Sequence, residues 1–195
     1  DPDGVQSVNL EYQTVDAGAY IRLTDAAYNA GWNTLAMTDD GLNGDLAVGD
    51  GVYTVVMPGS LQVNRRLVRY RITAVDALGA SVRGPYADDP QPNFAYFVYN
   101  GVPNYTASLR PGVAPNVAYN GTALDDMATY HLIANSADVQ NSQYNPSFNE
   151  VEFRGTIVYD GVVYDHVQFR NRGVASTYAV GKNKWKIEFQ RGHFL

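Results

Sequence analysis

The stretch Val151-Glu152-Phe153-Arg154-Gly155-Thr156-Ile157-Val158-Tyr159-Asp160-Gly161-Val162-Val163-Tyr164-Asp165-His166-Val167-Gln168-Phe169-Arg170-Asn171-Arg172 decides the fold class. It reads as two strands, 151–159 and 162–172. Between them Asp160-Gly161 supplies the two-residue signal of a tight hairpin, because both positions must adopt positive φ. Successive side chains on a strand point to opposite faces. Arg170 and Arg172 therefore share one face, and Val167 and Phe169 take the other. A further strand over 182–190 repeats the pattern. Lys182, Lys184 and Lys186 lie on one side and Trp185, Ile187 and Phe189 on the other. Two neighbouring strands thus each bury one face and show a cationic face.

The same pattern extends toward the N-terminus. Residues 128–133 read as an apolar strand, and Asn135 or Ser136 is placed to cap a short helix through about Gln143. Over 1–100, short strands alternate with turns: 5–12, 19–23, 52–57, 67–72 and 94–99, with a turn at Ala77-Leu78-Gly79. Pro103, Pro111 and Pro115 then fall among Gly, Asn and Ala. Proline withholds an amide donor, so 101–126 reads as a linker with one short strand near 105–109. The expected class is mainly β. An immunoglobulin or fibronectin III-like β-sandwich over 1–100 and a linker over 101–126 precede a second β-rich module with one helix over 127–195.

Composition agrees with a folded β-rich chain. Of 195 residues, 45% are hydrophobic, 12% aromatic and only 17% charged, whereas disordered chains are poor in aromatics and rich in charge. The absence of cysteine removes disulfides, cysteine zinc sites and thiol nucleophiles. No apolar run approaches the roughly 20 residues of a membrane helix, so no membrane insertion is expected. The net charge of −6 resides in residues 1–100; residues 101–195 balance at zero. A nucleic-acid partner is therefore not expected. The chain starts at Asp1 without Met and reads as a processed or cut piece.

Two motifs carry chemistry. The first is the acidic loop Asp39-Asp40-Gly41-Leu42-Asn43-Gly44-Asp45 through Gly49-Asp50-Gly51. Asp39, Asp40, Asn43, Asp45 and Asp50 offer oxygen ligands without a nearby cation, which suits calcium. If Asp39 is position 1 of an EF-hand-like loop, Asn43 is 5, Asp45 is 7 and Asp50 is 12. Gly41 stands where a ligand belongs at position 3, Asp50 replaces the usual Glu, and strands flank the loop. A solvated turn is the alternative, since Asp, Asn and Gly favour turns on their own account.

The second is the basic face of Arg170, Arg172, Lys184 and Lys186. Gly173 and Ser176, in the segment joining the two strands, add close backbone approach and a hydroxyl. Phosphate binding and a solvated sheet face are the two readings. His131, His166 and His193 have no ligand spacing and read as structural or surface residues. No nucleophile-elbow or Walker motif is present.

The run Arg170-Asn171-Arg172-Gly173, Ser176, Gly181-Lys182-Asn183-Lys184-Trp185-Lys186-Ile187 resembles the N-terminal lobe of the CotH (spore coat protein H) family of atypical protein kinases. Val158 to Asp165 and the Tyr130-His131-Leu132 strand are also similar. In bacterial relatives an immunoglobulin-like module with a similar Asp-rich loop precedes the lobe. The resemblance implies a secreted or cell-surface protein and ATP-dependent phosphorylation of protein Ser or Thr with magnesium or manganese. It implies a nucleotide site at Arg170, Arg172, Gly173, Ser176, Lys184 and Lys186. Lys186 ranks ahead of Lys184 for its deeper place in the strand. Metal-holding and nucleophile-orienting residues come from the family's larger lobe, so this chain is expected to be a non-catalytic part, with no catalytic residue of its own. Its partner would be a protein substrate or surface component. A calcium-stabilised adhesion or carbohydrate-binding β module is the alternative.

Overall fold

The computed structural model describes residues 3–107, 117–144, 150–172 and 184–194. The chain is mainly β, with 43% strand against 12% helix, and its two main sheets are antiparallel. It divides into two compact units, Asp1–Val15 with Leu23–Val98, and Asp16–Arg22 with Tyr99–Leu195. Residues 16–22 thus belong to the second unit although they follow directly on the first strand of the first.

In the first unit β1 (Val5–Val15) pairs with β2 (Asn33–Met37) and with β3 (Leu67–Asp76). The latter also pairs with β4 (Ser81–Gly84) and β5 (Phe94–Phe97). The turn expected at 77–79 joins β3 to β4, and Asp76 Oδ1 fixes it by accepting from the amides of Leu78 and Ala80. The short helix α1 (Ala26–Ala30) lies against β1 and β3 through a polar core. Gln13 Nε2 donates to the carbonyls of Ala27 and Tyr28, and Arg69 Nη1 donates to Gln13 Oε1 at 3.0 Å. The fully buried Arg69 guanidinium sits 5.5 Å from the Tyr28 ring centre. These bonds satisfy polar groups whose burial would otherwise cost several kcal/mol, on the order of the transfer penalties for unpaired amides.

Two expected strands are absent in that form. Residues 52–57 contribute only the bridge Thr38↔Thr54, in which each residue's amide donates to the other's carbonyl. Residues 19–23 form no strand; Tyr20 instead turns its ring into the second unit.

In the second unit β6 (Tyr105–Ala107) pairs with β7 (Val117–Tyr119), and α2 (Gly121–Leu124) follows. The segment read as a linker therefore carries secondary structure. The main sheet orders β11 (Lys184–Glu188), β10 (Val162–Arg172), β9 (Glu152–Tyr159) and β8 (His131–Ala134). Asn135 Oδ1 accepts from the amide of Ala137 and so caps α3 (Ser136–Tyr144). The hairpin is as expected: Asp160 and Gly161 have φ of 48° and 76°, and Tyr159 faces Val162. Ala134, Phe153, Ile157, Val167 and Phe169 form the core, with Trp185, Ile187 and Phe189 packed against it. No described helix is long and apolar enough to cross a membrane.

Candidate functional site

In the acidic loop, Asp39 is fixed by the chain itself. Its Oδ1 accepts from the amides of Gly49 and Asp50, and its Oδ2 from that of Gly51. Asp45 Oδ2 accepts from the Gly41 amide at 2.7 Å. This folding of the loop brings one carboxylate oxygen each of Asp39, Asp45 and Asp50 within 4.8 Å of one another. Those are positions 1, 7 and 12 of the EF-hand-like spacing. Asp40 is not in the group; its Oδ1 accepts from the Leu42 amide and holds a turn. Asn43 has a left-handed backbone with φ of 53°.

The cationic face has the expected alternation. On β11, Lys184 and Lys186 are exposed while Trp185 and Ile187 are half-buried. Register places Arg170 opposite Lys186 and Arg172 opposite Lys184. Two carboxylates enter this face. Arg170 lies 3.9 Å from Glu152, and Lys186 is hydrogen-bonded to Glu188. The Lys186 hydrogen bond and charge hold the Glu188 carboxyl below its usual range. Arg172 and Lys184 have no ion-pair partner among the described residues. Gly173 and Ser176, expected to join the site, lie outside the described residues, as does Lys182.

A third cluster escaped the sequence reading. Between Tyr164 and Val167 the β9–β10 register shifts by one residue, and His166 has φ of 58°. The extra residue is a β-bulge, which re-aims side chains. Asp165 and His166 are both buried as a result. Asp165 Oδ1 accepts from Tyr20 Oη at 2.9 Å, from Thr156 Oγ1 at 2.5 Å and from the His166 amide at 2.8 Å. Tyr20 Oη is also 3.0 Å from His166 Nδ1. The cluster is closed to solvent, so it holds residues 16–22 in place rather than meeting a substrate. A bulge has no periodic signature, and Tyr20 is 145 residues away from its partner, so no local window reveals it.

The geometry defines an antiparallel, mainly β protein with a tri-aspartate loop on one unit and a cationic sheet face on the other. Compared with protein-family models, with curated proteins and with solved structures, the chain matches none.

Proposed function

We propose that this chain is the β-rich N-terminal part of a secreted or cell-surface CotH-like protein kinase, its first unit an immunoglobulin-like module. In this reading the β10–β11 face holds phosphate oxygens of ATP. The observation that carries it is the facing pair Arg172 and Lys184, beside Arg170 and Lys186, at the ends of the strands that segment 173–183 joins. Charge-assisted bonds from guanidinium and ammonium groups are the usual means of holding phosphate. Arg172 and Lys184 have no described counter-ion to displace, whereas Lys186 would exchange Glu188 for phosphate.

The residues present fit the nucleotide's phosphates but not its magnesium or manganese. Among the described residues the three-acid group able to hold a metal is the acidic loop on the other unit. The metal-holding carboxylates of phosphoryl transfer would lie elsewhere.

Mapping amide chemical shifts of the chain during titration with ATP and magnesium tests the reading. Shifts should centre on β10 and β11. Lys184→Ala and Arg172→Ala should each weaken the response by about tenfold, the loss of one charge-assisted contact of about 1.5 kcal/mol. Glu188→Gln should strengthen it, because it releases Lys186. Shifts that are absent, or unchanged in all three variants, would leave a solvated sheet face.

A carbohydrate-binding module is favoured by one feature. Tyr130 is half-exposed and stacks on Tyr159 at 4.3 Å and 8°. Shifts centred on this pair when oligosaccharide is added, with none from ATP, would select that reading instead.

A further inference from the structure

The acidic loop takes no part in the nucleotide reading, and a separate role follows from its geometry. We propose that residues 39–50 form a calcium site, with one carboxylate oxygen each from Asp39, Asp45 and Asp50 as protein ligands. Two independent observations carry this. The three oxygens lie within 4.8 Å of one another. In addition Asp45 is only 7% exposed, and its Oδ1 is enclosed without a hydrogen-bond partner among the described residues.

A buried carboxylate oxygen without a donor is costly, because it has lost water and gained nothing. Its sister oxygen already takes the Gly41 amide. That bond holds the Asp45 side chain in place and leaves Oδ1 for a cation. Asp39 is likewise fixed by three amides, and Asp50 Oδ1 accepts from the Val52 amide. The carboxylates are thus held close together by the backbone, where their mutual repulsion opposes them.

The donor set selects the ion. Oxygen ligands without imidazole or thiolate suit a hard cation. Three carboxylates from one loop match calcium, which accepts six to eight oxygens in irregular geometry. Magnesium demands near-octahedral geometry and keeps most of its water. Asp50 is exposed and Asp39 half-exposed, so the ion can enter from solvent and complete its shell with water.

Calorimetric titration of calcium chloride into the full chain, with magnesium chloride in parallel, tests the site. One calcium should bind per chain, more tightly than magnesium, and the melting temperature should rise with calcium and fall back with chelator. Asp45→Asn keeps the shape and removes one charge. It should bind calcium at least about tenfold more weakly, since the charge of the ligand set governs affinity. In chelator it should melt no lower than the parent chain, because repulsion is relieved. Asp50→Asn, at an exposed position, should also weaken binding and serves if Asp45→Asn fails to fold. No heat and no calcium-dependent melting shift in the unaltered chain would overturn the site. So would unchanged calcium affinity in both variants, or tighter binding of magnesium than of calcium.

Discussion

Tyr20→Ala should destabilise the second unit by about 3–5 kcal/mol, the range for emptying a buried aromatic site. Tyr20 is 3% exposed, and its hydroxyl donates to the buried Asp165 carboxyl while lying against His166. Removing the ring opens a cavity and also takes one donor from a fully buried carboxyl group. Tyr20→Phe keeps the ring and removes only the hydroxyl. It should cost roughly 1–3 kcal/mol, as for leaving a buried acceptor short of a hydrogen bond. The two tryptophans separate the units. Trp32 lies in the first and Trp185 in the second, packed edge-on against Phe153. In a Trp32→Phe background, urea unfolding followed by Trp185 emission reads the second unit alone. A midpoint for Tyr20→Ala within error of the parent would show that residues 16–22 add nothing to that unit. A piece starting at Tyr99 lacks Tyr20 and also Arg22, whose guanidinium donates to Asp138 on α3 at 2.5 Å. That piece should melt without cooperativity.

Gly155→Val is expected to unfold the second unit outright, and Gly155→Ala to cost about 1–3 kcal/mol, as overpacking of a tight core does. Gly155 lies in the centre of β9, paired with Ala134 on one side and Val167 on the other. A Cβ there would stand 2.5 Å from the Ile133 carbonyl oxygen and 2.9 Å from Phe169 Cε2. The first neighbour is backbone of an adjacent strand, so relief requires β8 to move. The ring of Phe169 is fully buried against Phe153 and cannot swing away freely. Gly59 is the control, because a Cβ there meets nothing within 4 Å. Gly59→Ala should change stability by less than about 0.5 kcal/mol, as open surface substitutions do. Thermal melts of the three variants decide the matter. Equal melting temperatures for Gly155→Ala and Gly59→Ala would mean that β8 and β9 accommodate a methyl group without loss.

Short-range pattern determined much of this chain. The two-residue alternation on β10 and β11 foretold which side of each strand would be apolar, because the pleat turns every second side chain to the same face. Asp160-Gly161 foretold the hairpin, because so few residues accept its positive φ angles. Asn135 and Ser136 foretold the start of α3 as two candidate caps, and of the two it is the Asn135 side chain that replaces the missing helical acceptor for Ala137. The Asp spacing likewise marked the acidic loop. What the sequence did not determine depends on partners far along the chain. Whether residues 19–23 pair as a strand was settled by Asp165 and His166, which offer Tyr20 a buried polar seat across 145 residues. That seat exists because one extra residue bulges β10 and turns two adjacent polar side chains inward, against the alternation that holds elsewhere in the strand. Within the acidic loop, composition named five possible ligands, while folding brought three of their carboxylates together and committed Asp40 to a turn. Local propensity fixes the period of a segment; the satisfaction of buried polar groups fixes where that period breaks, and it is decided only when distant segments meet.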